Sequence, residues 1–309
     1  MPAGRLAALI ERLRLGWHLA SYGNRHFLRQ YGPGHYYSPL PDIDEVRRRH
    51  AAVADRSRRH VPGIDLHAAA QRDLVRAFAA YQNDLPFPRQ ARDGCRYHLD
   101  NPFFAFGDGI VLWSVLAHFR PQRVVEIGSG YSSAAMLDAA DALQLATSFT
   151  FVDPYPQRLL SLLSVADRQR CDVVERAVQT VDTGIFDNLT AGDLLFIDSS
   201  HVAKFGSDLN YLLGEVMPAL CPGVLVHVHD VCWPFEYPLH WFEDGRAWNE
   251  AYMMRAFLQF NDAFEILLFN DYLAAQHADL LAECLPLMLE RPASPLTLGN
   301  SSLWLRRCG

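Results

Sequence analysis

The sequence is short of basic charge, of paired cysteines and of long apolar runs. Lys and Arg number 28 against 35 Asp and Glu, a formal charge of −7, so a general binder of nucleic-acid phosphates is disfavoured. The six cysteines form no C-x-x-C pair and no zinc-ligand spacing, which favours a reducing cytoplasm. No uninterrupted apolar stretch is long enough for a secretory leader or a membrane-spanning segment.

The order of the apolar residues predicts one large domain behind a helical extension. Half of the residues (50%) are hydrophobic, enough for a sizeable core. Residues 1–60 carry eleven Arg against five acidic residues, and helical spacing predicts helices over residues 6–28, 44–59 and 66–81. We therefore expect a helical extension or cap over residues 1–95, also a candidate contact between two copies of the chain, and the main domain over residues 96–309.

From residue 123 onward, short apolar runs alternate with helical stretches, as in a parallel sheet covered on both faces. Seven strands are predicted, at residues 123–127, 149–152, 173–176, 193–197, 223–229, 264–269 and 302–306. Helices are predicted at residues 132–143, 157–163, 183–189 and 208–220. The expected fold class is therefore α/β, a doubly wound, seven-stranded and mostly parallel sheet.

Residues suited to ligand binding follow several of these strands. The first strand leads into V-V-E-I-G-S-G-Y-S-S, in which two glycines let a ligand approach the backbone before a helix. A dinucleotide-binding oxidoreductase would need a third glycine at position 133, where Ser133 stands. The fourth and fifth strands end in F-I-D-S-S-H and H-V-H-D, so acids and imidazoles meet at one edge of the sheet.

With G-R-A-W-N-E-A-Y and the terminal S-L-W-L-R-R, these motifs resemble the class I S-adenosylmethionine (SAM) dependent methyltransferases over about residues 95–309. The resemblance implies a Rossmann-like sheet whose last strand inserts antiparallel. It also implies that the glycine turn holds the amino-acid end of SAM, that Asp153 binds both ribose hydroxyls, and that residues after the third strand border the adenine. The implied cofactor-binding residues are Glu126, Gly128, Ser129, Gly130, Ser132, Asp153, Ala177, Val178 and Asp198.

Within that family, the clusters after strands four and five resemble the catechol-type and antibiotic-tailoring O-methyltransferases. The resemblance implies that Asp198, His229 and Asp230 are candidate ligands of Mg²⁺. Because His229 is an imidazole, a softer divalent ion, or no metal at all, remains an alternative. His227 is interpreted as a strand residue outside the site.

The same resemblance implies that His201, three residues after Asp198, is the general base. An imidazole with its ordinary pKa of about 6.5 has a neutral, proton-accepting form at physiological pH. Asp198 would lie beside the reacting oxygen as the second catalytic residue.

An aromatic loop over residues 231–245 is too long for a plain turn and is interpreted as a lid. Its Trp233, Tyr237 and Trp241 either contact the substrate or anchor the loop to the domain. The leading hypothesis is a cytoplasmic SAM-dependent methyltransferase acting on a hydroxyl of a small metabolite or natural product. The alternatives are a nicotinamide-dependent oxidoreductase and a non-catalytic module of the same fold that binds a partner.

Overall fold

The computed structural model describes residues 30–309 and contains a single seven-stranded sheet within them. The strands are β1 Arg123–Ile127, β2 Ser148–Val152, β3 Cys171–Val174, β4 Leu194–Ile197, β5 Leu225–Val228, β6 Phe264–Phe269 and β7 Leu303–Arg307. Strands β1 to β5 run parallel, whereas β7 lies between β5 and β6 and is antiparallel to both. The predicted α/β fold class and the antiparallel last strand are confirmed.

Helices precede β1 and connect most of the following strands. They are α1 Ile43–Val53, α2 Ala68–Phe78, α3 Phe106–Phe119, α4 Tyr131–Leu143, α5 Gln157–Leu162, α6 Asp167–Arg170, α7 Gly184–Asp187, α8 Asp208–Tyr211, α9 Met217–Ala219, α10 Leu239–Glu243, α11 Glu250–Leu258, α12 Asn270–Gln276 and α13 Ala278–Cys284. The helix predicted over residues 44–59 ends at Val53, and a π-helical turn at Leu212–Val216 interrupts the one predicted over 208–220. The helix predicted over residues 6–28 lies outside the described residues.

The inner strands are buried on both faces. Every residue of β4 and β5 is buried, which explains why these strands read as continuous apolar runs rather than as alternating patterns. Helix α3, which the sequence analysis did not predict, is mostly apolar apart from Asp108, Ser114 and His118, and it is buried on all sides except near its end. A helix of this kind belongs to the core and carries no amphipathic signal.

The order of the strands locates the place where a ligand would bind. The order is β3-β2-β1-β4-β5-β7-β6. The connection from β1 to β2 therefore runs toward one edge of the sheet, and the connection from β4 to β5 runs toward the other edge. In open α/β sheets the crevice at this reversal is the usual ligand site. Ile127 pairs with Ile197, and the Asp198 N–H donates to the Ile127 carbonyl at 2.8 Å. The residues that follow β1 and β4 therefore lie side by side.

The described residues divide into two compact units. Residues 30–52 with Leu239–Ala247 form one, and Val53–Pro238 with Trp248–Gly309 form the other. Gln71 on α2 is integral to the second unit, because its side chain accepts a hydrogen bond from the Phe269 N–H at 2.9 Å. A truncation at residue 96 would thus remove part of this unit. The boundary predicted between residues 95 and 96 stays a prediction.

Membrane-spanning helices were also sought in the described part of the chain. Between residues 30 and 309, no helix combines the length and the apolar character needed to cross a bilayer.

Candidate functional site

The turn between β1 and α4 passes very close to the end of β4. Gly128 has a φ of +84°, a conformation that residues with a side chain rarely adopt. A Cβ atom at this position would lie 1.8 Å from the carbonyl oxygen of Asp198. The Gly130 N–H donates to the Ser133 hydroxyl at 3.0 Å, which joins the turn to the start of α4. Glycine at position 128 therefore brings the ends of β1 and β4 into contact at the crevice.

Glu126 lies fully buried next to this turn. Its carboxylate accepts hydrogen bonds from the hydroxyls of Ser132 and Ser133, the latter at 2.5 Å. Burial raises the pKa of Glu126 to about 8, although the two hydroxyl hydrogen bonds oppose this shift. In this structure Glu126 and Ser132 hold the turn to α4. Their direct contact with a cofactor stays a prediction.

Replacing the buried Glu126 carboxylate by an amide is expected to change how stability depends on pH. The pKa of about 8 in the folded protein exceeds the ordinary value, so the wild type loses stability as pH rises through that value. Glu126→Gln has no titrating group there. Its free energy of unfolding relative to wild type should therefore increase between pH 5.5 and pH 9, by up to about 4 kcal/mol. Denaturant unfolding at both pH values measures this difference.

A surface variant provides the control for this measurement. Glu283 is exposed, and Glu283→Gln should shift the free energy of unfolding equally at both pH values. An equal shift at both pH values for Glu126→Gln would show that burial does not perturb that carboxylate.

Asp153 follows β2 and is bonded to the glycine turn. Its Oδ2 accepts hydrogen bonds from the Ser129 N–H at 3.0 Å and the Ser129 hydroxyl at 2.7 Å. Its Oδ1 accepts from the Tyr155 N–H at 2.7 Å. A carboxylate has about four acceptor positions, and the protein uses three of them. A ribose diol, which brings two hydroxyl donors, would therefore have to displace one of the three present donors.

The turn after β3 carries the residues predicted to border the adenine. Val178 is buried, and the Ala177 carbonyl accepts a hydrogen bond from the Thr180 N–H at 2.9 Å. The Gln179 side chain donates to the Gly206 carbonyl, in the loop after β4, at 2.7 Å. In the sheet, β2 and β1 lie between β3 and β4. The contact between Gln179 and Gly206 therefore passes across the carboxyl ends of β1 and β2.

His201 lies on the loop after β4, and one of its ring nitrogens is hydrogen-bonded to a carboxylate. Its Nδ1 lies 2.6 Å from Oε2 of Glu250, the first residue of α11. Its Nε2 lies 3.4 Å from Asp198 Oδ1 and 3.8 Å from Asp230 Oδ2. The indole of Trp248 packs against the ring, with centroids 4.4 Å apart. The imidazole thus turns its second nitrogen toward two aspartates.

The surrounding carboxylates change the proton affinity of His201. Burial lowers its pKa, but hydrogen bonding to Asp198 and Glu250 outweighs burial and raises the pKa to about 10. The surroundings therefore perturb this imidazole, contrary to the expectation of an ordinary pKa, and they favour its protonated form. A role as general base requires that this proton leave first.

His229 extends the cluster on the other side of Asp198. Its Nδ1 lies 3.4 Å from Asp198 Oδ1 and 3.7 Å from Asp230 Oδ2, and its Nε2 lies 3.6 Å from Asp108 Oδ2. Burial opposes a charge on this ring, but Asp230 and Asp198 raise its pKa well above the ordinary value. Burial would also raise the pKa of Asp198, yet the charge of His229 and the contact with His201 hold it well below its usual range. Asp198 is therefore an ionised carboxylate between two cationic rings.

The loops that follow β4 and β5 each contain a residue whose backbone conformation is unusual for residues with a side chain. His201 has φ +60° and Asp230 has φ +55°, and such strain persists where the surroundings fix it and is common at functional sites. The carbonyl of His201 accepts from the backbone N–H groups of Asn249 and Glu250. Asp230 Oδ1 accepts from the Ser301 hydroxyl at 2.8 Å. Contacts from distant segments thus hold both loops.

Two residues of this cluster, Asp108 and Glu250, were not predicted as site residues. Asp108 lies on α3, is fully buried, and accepts hydrogen bonds from the Ser302 N–H and hydroxyl at 2.9 and 2.7 Å. The available signal was a single carboxylate inside the apolar run 103–119. Glu250 stands in the quoted motif G-R-A-W-N-E, but nothing in that motif connects it to His201.

The three residues predicted to bind a metal do not fit one in this structure. Within residues 30–309, no group of three or more His, Cys, Asp or Glu side chains has the arrangement of a metal site. A divalent ion at Asp198, His229 and Asp230 is therefore not supported.

Two of the lid aromatics are structural anchors in this conformation. Trp233 and Tyr237 are buried. The indole N–H of Trp233 donates to the Arg56 carbonyl at 3.3 Å, and the Tyr237 hydroxyl accepts from the Ala251 N–H at 2.9 Å. Trp241 belongs to the other compact unit. The contacts of Trp233 and Tyr237 support the anchoring alternative, and substrate contact stays a prediction for all three aromatics.

His227, interpreted as a residue outside the site, lies in the core. Its ring is fully buried and stacks on Phe196 with centroids 3.6 Å apart. Burial lowers its pKa well below the ordinary value, and Nε2 lies 2.8 Å from the Ser302 hydroxyl. A neutral, packed imidazole of this kind is a structural residue.

Comparison with known proteins identifies the family. Residues 125–231 match the family model of a methyltransferase domain. A protein of Archaeoglobus fulgidus, described as uncharacterized, is 31% identical over 167 residues, which cover 52% of this chain and 73% of that protein.

Among solved structures, the O-methyltransferase TomG from Streptomyces achromogenes, in complex with SAM, is 14% identical, with 84% of this chain and 96% of that chain covered and a TM-score of 0.42. The SAH-bound methyltransferase PaMTH1 of Podospora anserina is 14% identical, with 88% and 99% covered and a TM-score of 0.40. The assignment of the family rests on the match of residues 125–231 and on the observed seven-stranded fold. The chain belongs to the methyltransferase-domain family and is a class I SAM-dependent methyltransferase.

Proposed function

We propose that this enzyme methylates a hydroxyl oxygen of a small molecule and that His201 is the general base. The observation that carries this proposal is the orientation of His201, which is held by Glu250 through Nδ1 and directs Nε2 toward Asp198. Asp198 in turn contacts the glycine turn at Gly128, where the cofactor is expected. Methyl transfer needs alignment of the nucleophile with the methyl group and removal of one proton, and this arrangement offers a proton acceptor beside the cofactor.

The proposed chemistry divides between the cofactor and the side chains. Bound SAM supplies an electrophilic methyl group, so that a new O–C bond forms as the C–S bond breaks and its electron pair stays on sulfur. His201 Nε2 takes the hydroxyl proton, and Glu250 stabilises the resulting imidazolium through Nδ1. Asp198 holds the ring and balances positive charge, since a bare carboxylate has the wrong sign to stabilise a developing oxyanion.

The protonated state of His201 is compatible with this role once SAM binds. Neighbouring carboxylates raise the His201 pKa to about 10. A cationic cofactor bound in the crevice would disfavour the imidazolium, so it would favour release of the His201 proton to solvent. Cofactor binding would thus lower the His201 pKa and increase the share of its proton-accepting form.

The remaining hypotheses from the sequence have less support. The family match favours methyl transfer over hydride transfer by a nicotinamide-dependent oxidoreductase. The buried acid and imidazole cluster serves no evident purpose in a non-catalytic module, because ionisable groups are costly to bury even when they are paired. The net charge of −7 supports a small-molecule acceptor over nucleic acid.

Asp153→Ala is expected to weaken SAM binding by about 10- to 100-fold, since hydrogen bonds to a charged group contribute roughly 1.5 to 3 kcal/mol. Calorimetric titration with SAM, S-adenosylhomocysteine and NAD(H) measures the effect and tests the cofactor. The matched control is Asp65→Ala, because Asp65 accepts the same type of backbone hydrogen bond, from His67 two residues ahead at 2.8 Å. That control should bind SAM as the wild type does.

Three results would contradict the proposed cofactor site. They are NAD(H) binding in place of SAM, equal affinities of wild type and Asp153→Ala for SAM, and an equal loss of affinity in the Asp65 control. Chelation of divalent ions is expected to leave SAM affinity unchanged.

The acceptor class is tested separately, by following methyl transfer from labelled SAM to a panel of phenols, alcohols, carboxylic acids and amines. Turnover confined to the phenols or alcohols would support the proposal. Turnover confined to the amines or carboxylic acids would reject hydroxyl methylation.

A further inference from the structure

Glu250, the first residue of α11, and Asn249 directly before it hold the loop that carries His201. The backbone N–H groups of Asn249 and Glu250 both donate to the His201 carbonyl, at 3.1 and 3.2 Å. The Asn249 side-chain oxygen accepts from the Ala203 N–H at 2.6 Å, and its amide donates to the Ala203 carbonyl at 3.3 Å. The left-handed backbone of His201 is therefore fixed by a helix that begins far along the chain.

The Glu250 side chain continues this contact to the imidazole itself. Its carboxylate is 1% exposed, and Oε2 lies 2.6 Å from His201 Nδ1. The other oxygen makes a longer contact, 3.5 Å, with the Ser199 hydroxyl. A carboxylate accepts hydrogen bonds and an imidazolium donates them. When the His201 imidazolium loses one proton, Nδ1 keeps its hydrogen because that hydrogen is donated to Glu250 in a hydrogen bond. The proton therefore leaves from Nε2, which becomes the nitrogen with a free lone pair.

We propose that Glu250 is a positioning residue for methyl transfer, which fixes the orientation and the tautomer of His201 so that Nε2 faces the acceptor. This inference rests on the proposed role of His201 as general base. Glu250 touches neither cofactor nor acceptor in this scheme and acts through His201 alone. The carboxylate that orients the histidine in hydrolase triads works by the same physical principle.

A purely structural role for Glu250 is the competing explanation. An acidic residue in the first turn stabilises a helix through the peptide dipoles, and that role needs no short bond to an imidazole. Two measurements distinguish the explanations. One is the NMR resonance of the proton shared between Glu250 and His201, and the other is whether the effects of mutating the two residues on kcat are coupled.

The first readout does not depend on an acceptor. In proton NMR of the enzyme saturated with S-adenosylhomocysteine, the wild type should show a strongly downfield Nδ1–H resonance from the short bond. That resonance should be absent from His201→Ala and from Glu250→Gln. It should persist in Tyr252→Phe, a control on the same helix whose hydroxyl donates to Glu236 instead. Persistence in Glu250→Gln would overturn the proposal.

The second readout is a double-mutant cycle with the phenol or alcohol that the panel identifies. Glu250→Gln should lower kcat by about 10²-fold, with KM for SAM changed less than about threefold, and Tyr252→Phe should retain wild-type kcat. The double variant with His201→Ala should be no slower than His201→Ala alone, because Glu250 acts through His201. Multiplicative losses, or an unchanged kcat in Glu250→Gln, would overturn the proposal.

Glu250→Asp provides a second variant for the same test if Glu250→Gln folds poorly. Its shorter carboxylate should lower kcat, weaken the downfield resonance and leave SAM affinity intact. Wild-type kcat together with loss of the resonance would reject the positioning role. Wild-type turnover in His201→Ala would instead reject the proposed function, and the NMR result would still show whether Glu250 holds the ring.

Discussion

His201→Ala is expected to lower kcat by about 10²- to 10⁴-fold, the range typical of a lost general base, while the dissociation constant for SAM changes less than about threefold. The expectation follows from the position of Nε2, 3.4 Å from Asp198 at the crevice, and from the absence of any His201 bond to the glycine turn among the described contacts. Steady-state turnover with the panel's best hydroxyl acceptor and calorimetry with SAM measure the two quantities. Unchanged turnover would remove His201 from the mechanism.

The pH dependence of turnover provides a second test of the same residue. A base works when deprotonated, so kcat/KM for SAM, which reports the free enzyme, should rise with pH toward the His201 pKa of about 10. The profile of kcat, which reports the complex, should have a lower midpoint because the sulfonium charge disfavours the imidazolium. His201→Ala should lack this rise.

Exogenous imidazole distinguishes a missing base from a damaged site. It should restore part of the His201→Ala turnover and should not accelerate the wild type. The exposed His118 offers a control substitution, and His118→Ala should match the wild type. A loss in His118→Ala equal to that in His201→Ala would show that the effect is not specific.

The sheet could be predicted from the sequence because its strands are short apolar runs buried on both faces. The predicted bounds of β1 and β6 match those observed, Arg123–Ile127 and Phe264–Phe269. Helix α3 escaped prediction for the same physical reason, since a helix buried on all sides has no amphipathic period. The predicted helix over residues 208–220 contains Pro218, and a π-helical turn precedes that residue.

The candidate site could be predicted only where its residues follow strands. Asp153, Asp198 and Asp230 each come directly after a predicted strand, and His201 comes four residues after one. Parallel strands bring such residues to one edge. Glu250 and Asp108 approach the site from helices. The bond between Glu250 and His201 joins residues 49 positions apart, and the bond between Asp108 and Ser302 joins residues 194 apart. Patterns of neighbouring residues in the sequence do not predict contacts between residues so far apart.

The proton state of His201 could not be predicted from its residue type. An isolated imidazole titrates near 6.5, but here three carboxylates from different segments face the ring. Their combined effect outweighs burial and raises the pKa. The structure places His201 in contact with the predicted Asp198 and Asp230, and the carboxylates around the ring favour its protonated form instead of leaving the pKa at its ordinary value.

Gly128→Ala is expected to reduce SAM affinity by at least about 10²-fold and to lower the free energy of unfolding by about 3 kcal/mol or more. Two costs combine at this position. The backbone has φ +84°, which disfavours any side chain, and the new Cβ would lie 1.8 Å from the Asp198 carbonyl oxygen. Since that oxygen is backbone, the turn and the end of β4 must move apart, which displaces Asp198 from the crevice. Calorimetry with SAM and denaturant unfolding measure the two effects.

Gly192→Ala is the control that distinguishes the effect of backbone strain from the effect of the clash with the Asp198 carbonyl oxygen. Gly192 has nearly the same conformation, φ +87°, but a Cβ there would meet no atom within 4 Å. This variant should lose about 1 kcal/mol of stability from the φ angle alone and bind SAM as the wild type does. If the two variants lost equal stability and both retained SAM affinity, the contact between Gly128 and Asp198 would have no part in forming the cofactor site. A loss of affinity confined to Gly128→Ala would show that SAM binding depends on the close approach of β1 and β4.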